Sequence, residues 1–113
     1  MLKRIMLAMV LIAFSAAVAS AQDAKQVAAG EKAFAANKCS MCHSIAGKGN
    51  VKGPLDGVGS KYTADEIREW LLNPVEMAKK TNATRKPMKK PYSTLPKEEL
   101  DALVAYMSSL KKK

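Results

Sequence analysis

Cysteine, histidine and aromatic side chains are scarce in this chain of 113 residues. It has two cysteines, Cys39 and Cys42, and one histidine, His43. A structural zinc site wants four nitrogen or sulfur ligands. Three candidates within five residues, with no second cluster, fall short of that. Aromatic residues are 5% of the chain, so a core of side chains alone would be thin. A domain this small usually needs a staple. No stretch alternates apolar and polar residues as a strand would, which argues against a sheet protein and against the βαβ surround of a thioredoxin-type dithiol. There is no internal repeat. No cysteine follows the small residues near the N-terminus, so a lipoprotein anchor has no attachment point.

Negative charge is also in short supply: 10 Asp and Glu stand against 19 Lys and Arg, a net +9. Lys3 and Arg4 precede an apolar run from Ile5 to Ala19, and Ala19-Ser20-Ala21 forms an A-x-A cleavage site. The run is short for a membrane span, which takes about 20 residues. Residues 1–21 are therefore expected to be a secretory signal peptide and residues 22–113 one periplasmic domain. An uncleaved anchor is the alternative. Cleavage removes Lys3 and Arg4 and lowers the charge to +7. Nucleic acid is not the expected partner of an exported protein. The positive balance points instead to acidic proteins met by fast, salt-sensitive encounter. The domain is expected to be a monomer without stable membrane insertion. Lys111-Lys112-Lys113 is read as solubilising.

What the chain does have is Cys39-Ser40-Met41-Cys42-His43. C-x-x-C-H reads as a c-type haem attachment site. Each thiol can add to one vinyl group of a haem, and the histidine after the second thiol is then held close to the iron as an axial ligand. The export signal supports this, because covalent haem attachment takes place outside the bacterial inner membrane. A buried macrocycle would also be the missing staple. A thioredoxin-like dithiol, half a zinc site and a small disulfide loop are the competing readings of a bare C-x-x-C. The disulfide would close so short a loop that it stabilises little.

Helices are expected on both sides of the motif. Asp23, with Gln26 three residues on, can open one that runs to about Lys38 and brings Cys39 to its last turn. Val27, Gly30 and Phe34 share a face of it. A mid-helix glycine costs about 1 kcal/mol relative to alanine, so Gly30 implies close approach by another helix. Residues 44–61 are turn-rich and are expected to wrap one edge of the haem. Thr63 and Glu66 form a capping box ahead of the apolar face Ile67, Trp70, Leu71. Asn73-Pro74 ends that helix and can start a short one. A second long loop spans 81–95, with Arg85, Lys86, Lys89 and Lys90. Pro96 opens the last helix, whose apolar face is Leu100, Leu103, Val104, Met107 and Leu110. Acidic residues near its start and the lysines at its end suit the macrodipole.

An iron held by His43 has a sixth position for Met, Lys, Tyr or nothing, since a second histidine is lacking. Four methionines lie beyond residue 21. Met41 is trapped between the cysteines, and Met77 and Met107 fit helix cores. Met88 sits in a basic, proline-punctuated loop where a thioether has no use unless it faces something buried. It is the favoured axial ligand, and His/Met ligation raises the reduction potential relative to bis-His.

Gly30-x-x-x-Phe34, Cys39-x-x-Cys42-His43, Gly53-Pro54-Leu55, Trp70, Met88 and Leu103-Val104-Ala105-Tyr106 together resemble a class I monohaem cytochrome c of the small bacterial kind. The resemblance covers residues 22–113. It implies an all-α cytochrome c fold, three to four helices around one covalently attached haem, with N- and C-terminal helices crossing. Gly30 and Phe34 would pack on Tyr106. It also implies that the Pro54 carbonyl accepts the His43 Nδ1–H and that Trp70 lies by a haem propionate, with core packing as the plain alternative for Trp70. One departure is that Pro87 precedes Met88, whereas in many relatives a proline follows the ligand. The function implied is one-electron carriage between redox proteins rather than enzyme catalysis. Lys48, Lys52, Lys79, Lys80, Lys86, Lys89 and Lys90 would rim the haem. The alternatives are a haem-based sensor or peroxidase-like protein with an open sixth site, and a haem-free dithiol protein.

Overall fold

The structure is a computed structural model that describes residues 23–83, 92 and 94–112. Residues 1–22, which hold the expected signal peptide, and Met88 with its flanking Arg85, Lys86, Lys89 and Lys90 lie outside the described residues.

Five α-helices carry the described fold: α1 over 23–36, α2 Val58–Lys61, α3 Ala64–Leu72, α4 Pro74–Thr81 and α5 Lys97–Ser109. The four-residue α2 is the one helix the sequence did not announce. The terminal helices cross as expected, and the crossing is built on Gly30. A Cβ there would run into the carbonyl of Ala102 and lie 2.5 Å from Cβ of Tyr106. Only glycine lets the two backbones come so near. One turn on, Phe34 meets Tyr106 edge to face, with centroids 5.9 Å apart at 71°. Asn37 ties the helix ends together by donating from Nδ2 to Glu99 Oε1 at 2.9 Å.

α5 buries Leu100, Leu103, Val104 and Met107, the i, i+3, i+4, i+7 face read from the sequence. Leu103 is 1% exposed and Ile67 of α3 2%. Both belong to one apolar cluster with Ala33, Phe34, Cys39 and Leu71. The Thr63 capping box is complete: Glu66 N–H donates to Thr63 Oγ1 at 3.2 Å, and Thr63 N–H to Glu66 Oε1 at 3.0 Å. Arg68 links α3 to α5 through Asp101 at 2.8 Å. Met77 is buried within α4, as its helical setting predicted. Asn73 is the N-cap residue of α4, but its side chain makes no capping bond. Its amide donates instead to Glu69 Oε2 at 3.0 Å, and Pro74 at the first helical position starts the helix.

Two further expectations change. Residues 44–61 are not all loop. Ser44–Ile45 (β1) and Lys48–Gly49 (β2) form a two-stranded antiparallel hairpin, turned through Ala46 and Gly47 at φ 52° and 79°. Two residues per strand are too few to leave an alternating pattern. At the far end, Lys111 does not simply face the negative end of α5. Its Nζ donates to the Gly59 carbonyl at 2.8 Å, and Gly59 N–H donates to Leu110 O at 2.9 Å, which pins α2 on α5. Among the described residues, no helix is long and apolar enough to cross a membrane.

Candidate functional site

The site begins where α1 stops. Asn37 N–H closes the last turn on Ala33 O at 3.0 Å, and Lys38 then takes a left-handed φ of 56°. That reversal ends the helix before the first cysteine. Cys39 therefore lies not in the last turn of α1, as expected, but in a separate 3-10 turn, Cys39–Met41. Its N–H groups close on one carbonyl: Cys42 N–H and His43 N–H both donate to Cys39 O, at 3.2 and 3.0 Å. The two sulfurs and the imidazole thus leave one tightly wound segment. Cys39 is buried against the core cluster and Cys42 is exposed. Met41 is 69% exposed.

A second loop clamps this turn from outside. Asn50 N–H reaches Ser40 O and His43 O at 3.0 and 3.1 Å, and Asn50 Nδ2 donates to Met41 O at 3.1 Å. Gly49, at φ 104°, lies so close that a Cβ would press on the His43 carbonyl. The hairpin is therefore a brace under the motif.

His43 is half-buried, and its Nδ1 is 3.0 Å from the carbonyl oxygen of Gly53. A carbonyl can only accept, so Nδ1 carries the proton, and in the neutral ring that leaves the lone pair on Nε2. The resemblance assigned this acceptor to Pro54. The carbonyl one residue earlier takes the role. The reason is strand geometry: Ser44 and Pro54 pair as a parallel bridge, with Ser44 N–H donating to Gly53 O at 3.1 Å and Leu55 N–H to Ser44 O at 2.9 Å. Successive carbonyls of an extended segment face opposite ways, so Pro54 points its own away while Gly53 serves both Ser44 and His43. Pro54 itself is exposed.

Trp70 is half-buried on α3, tilted against Tyr62 at 6.0 Å between centroids. Its Nε1 is buried with no acceptor among the described residues. Buried indole N–H groups nearly always have a partner. A donor left over in this way fits a bound carboxylate, such as a haem propionate. Tyr92 was not singled out from the sequence. Its N–H donates to Leu71 O at 2.9 Å, and its ring packs on the core cluster that contains Cys39. Nothing in the sequence around Tyr92 signals this, because the bond to Leu71 spans more than twenty residues.

Burial pushes the Cys39 thiol above its ordinary value, only partly offset by its backbone hydrogen bond. That is the reverse of the depressed thiol in an active dithiol oxidoreductase. Among the described residues, no three His, Cys, Asp or Glu side chains are arranged to hold a metal ion. Two cysteines directed differently, a histidine with its lone pair on Nε2 and an orphan indole donor fit a covalently attached macrocycle better than a dithiol or zinc site. The residues present therefore suit haem.

A model of the family described as Cytochrome c matches residues 27–111. No curated protein and no solved structure gave a significant match. The matched span takes in all of α1 but its first four residues, the C-x-x-C-H turn, its brace and all of α5. The family carries covalently bound haem c and works in haem-based electron transfer. This chain belongs to the cytochrome c family.

Proposed function

We propose that the protein is a periplasmic one-electron carrier, not an enzyme, whose single haem is attached through Cys39 and Cys42 and ligated by His43 and Met88. When bound, the haem supplies the redox couple. The chain supplies attachment, orientation, burial and charge. The observation that carries the reading is the His43 hydrogen bond. Gly53 O, 3.0 Å from Nδ1, fixes the ring and its tautomer and directs the lone pair to Nε2. An axial histidine needs that arrangement, whereas a solvent-facing one does not.

Trp70 is assigned as donor to a propionate on the strength of its orphan Nε1. Pro54 remains beside the site through its bridge to Ser44. Met88 is proposed from the chemistry of its surrounding sequence, since a thioether is a soft, neutral ligand suited to fast transfer with little rearrangement. Residues 1–21 are proposed to direct export and to be removed. The partners are redox proteins with acidic faces. Lys48, Lys52, Lys79 and Lys80 are all exposed, and the 84–91 segment adds basic residues in sequence.

The visible spectrum of the oxidised protein, expressed in a periplasm, tests the ligand set. A sulfur-to-iron charge-transfer band in the wild type that disappears in Met88→Ala supports His/Met ligation. A band that is absent, or that survives the substitution, leaves the sensor or peroxidase-like reading with an open sixth site. Transfer rates should fall as ionic strength rises. A flat or rising rate would sink the acidic partner.

A further inference from the structure

Among the described residues, three large apolar side chains stand out of the core: Met41 at 69% exposure, Val51 at 68% and Val75 at 50%. Exposed apolar residues scattered singly are ordinary. Met41 and Val51 are not scattered. Asn50, the neighbour of Val51, donates from Nδ2 to Met41 O at 3.1 Å and from its backbone N–H to Ser40 O at 3.0 Å. The Asn50 carbonyl accepts Gly53 N–H at 3.1 Å, which puts Val51 and Lys52 at the two corners of a tight turn. Turn corners favour glycine, proline, asparagine or aspartate, and an exposed valine there fills no core. Cys42, the residue after Met41, is exposed as well. The charge around this face has one sign. Lys38, whose carbonyl accepts Met41 N–H at 3.1 Å, Lys48 in β2 and Lys52 beside Val51 are all exposed. Residues 38–55 hold no Asp or Glu. Two carboxylates at the borders are engaged: Asp56 Oδ1 accepts Ala46 N–H at 2.7 Å, and Glu99 Oε1 accepts from Asn37 Nδ2 at 2.9 Å.

Building on the one-electron carrier reading, we propose that Met41, Val51 and Cys42 form the apolar centre of a docking face, rimmed by Lys38, Lys48 and Lys52, for the acidic surface of a redox protein. This narrows the wider ring of lysines to the motif side of the molecule. An interface of this kind takes its affinity from an apolar centre, where methionine is enriched, and its encounter rate from a charged rim. A cationic rim without carboxylates selects a partner rich in Asp and Glu. It also disfavours a second copy of this chain, because the two rims would set lysine against lysine. Attachment at Cys42 ties the macrocycle to this same surface, so docking here keeps the transfer path short. One electron passes between the bound haem and the partner's redox centre, one oxidised as the other is reduced, and no bond forms or breaks.

The test adds an acidic blue-copper protein to isotope-labelled holoprotein at low ionic strength, both in the reduced state. Amide signals of residues 38–42 and 48–52 should shift, and added salt should reverse the shifts. Shifts confined to other surfaces overturn the proposal. Electron exchange with the same probe, run in its downhill direction, should slow roughly fivefold in Met41→Gln and in Val51→Thr. Val51→Thr lies outside the attachment motif, so it tests the face where Met41→Gln impairs maturation. Lys48→Gln with Lys52→Gln should slow exchange and flatten its salt dependence. Lys25→Gln with Lys32→Gln removes the same charge from the exposed side of α1 and should do less. Equal losses from the two pairs would leave only net charge and overturn the face. The ferrocyanide–ferricyanide couple, a small probe, should exchange electrons with wild type, Met41→Gln and Val51→Thr alike. A matching fall with that couple overturns the docking role, because the substitution then acts on the haem itself. Dimers in sedimentation that Val51→Thr abolishes would replace the acidic partner by a second copy. Wild-type protein that exchanges electrons with neither probe overturns the carrier reading, whereas unaltered rates in the variants overturn the docking face alone.

Discussion

The segment from Asn37 to Leu55 and the junction of α1, α3 and α5 are organised by different forces. The helix junction is held by apolar contact. Ile67, Leu103 and Val104 are almost wholly enclosed, and Phe34 on Tyr106 closes the crossing. The motif segment has little apolar burial beyond Cys39. It is held by a chain of hydrogen bonds through Ser40, His43, Ser44, Asn50 and Gly53, nearly all to backbone atoms. The core sets how stable the protein is, while the motif segment sets where the imidazole points. Packing energy is non-directional, so it suits the first task. Hydrogen bonds are directional and contribute modestly to net stability, so they suit the second.

The sharpest way to break this division is Leu103→Ala. Removing the most enclosed leucine of α5 should cost about 2–5 kcal/mol in denaturant unfolding of the holoprotein. The reduction potential of the folded fraction should hardly move. A large potential shift would mean that the core also orients the haem ligands.

Gly49→Ala probes the other side with a smaller expected cost. A side chain at φ 104° that also presses on the His43 carbonyl should destabilise by about 1–3 kcal/mol. Here the haem spectrum and potential should change out of proportion to stability, while far-ultraviolet circular dichroism keeps its helical signal. Loss of helix instead would show that the hairpin is part of the core.

The smallest effect is expected at Asp101. Hydrogen bonds from Lys97 and then Arg68 hold its carboxyl below the usual carboxylate value. A depressed folded-state value means that its contribution to stability is present above about pH 4, the ordinary carboxylate range, and is lost as pH falls through the lowered value. Asp101→Asn should therefore flatten part of the acid limb of the stability curve and leave neutral-pH redox behaviour alone. An acid limb identical to wild type would remove Asp101 from that account.

Much of this was legible in the chain itself. The i, i+3, i+4 faces of α3 and α5, the Thr63 box and the Gly30 contact are local patterns, and local patterns survive folding when the whole fold agrees with them. The C-x-x-C-H turn was legible for the same reason: its geometry spans five residues. What sequence reading misplaced depended on direction or distance. The acceptor for His43 moved from Pro54 to Gly53 because a parallel bridge decides which carbonyl faces inward. Cys39 left α1 because Lys38 turns left-handed, a conformation its side chain does not announce. Tyr92 reached Leu71 and the core cluster from a distant part of the chain.

By itself, then, the sequence determined that there is a haem attachment motif, which helices flank it and which of their faces are buried. These follow from residue spacing along one helix or turn. The tertiary structure alone decided which backbone carbonyl meets His43, which indole N–H is buried without an acceptor and which phenol ring packs on the cluster that holds Cys39. Those outcomes depend on the angles at which distant segments meet, and residue spacing along the chain does not encode such angles.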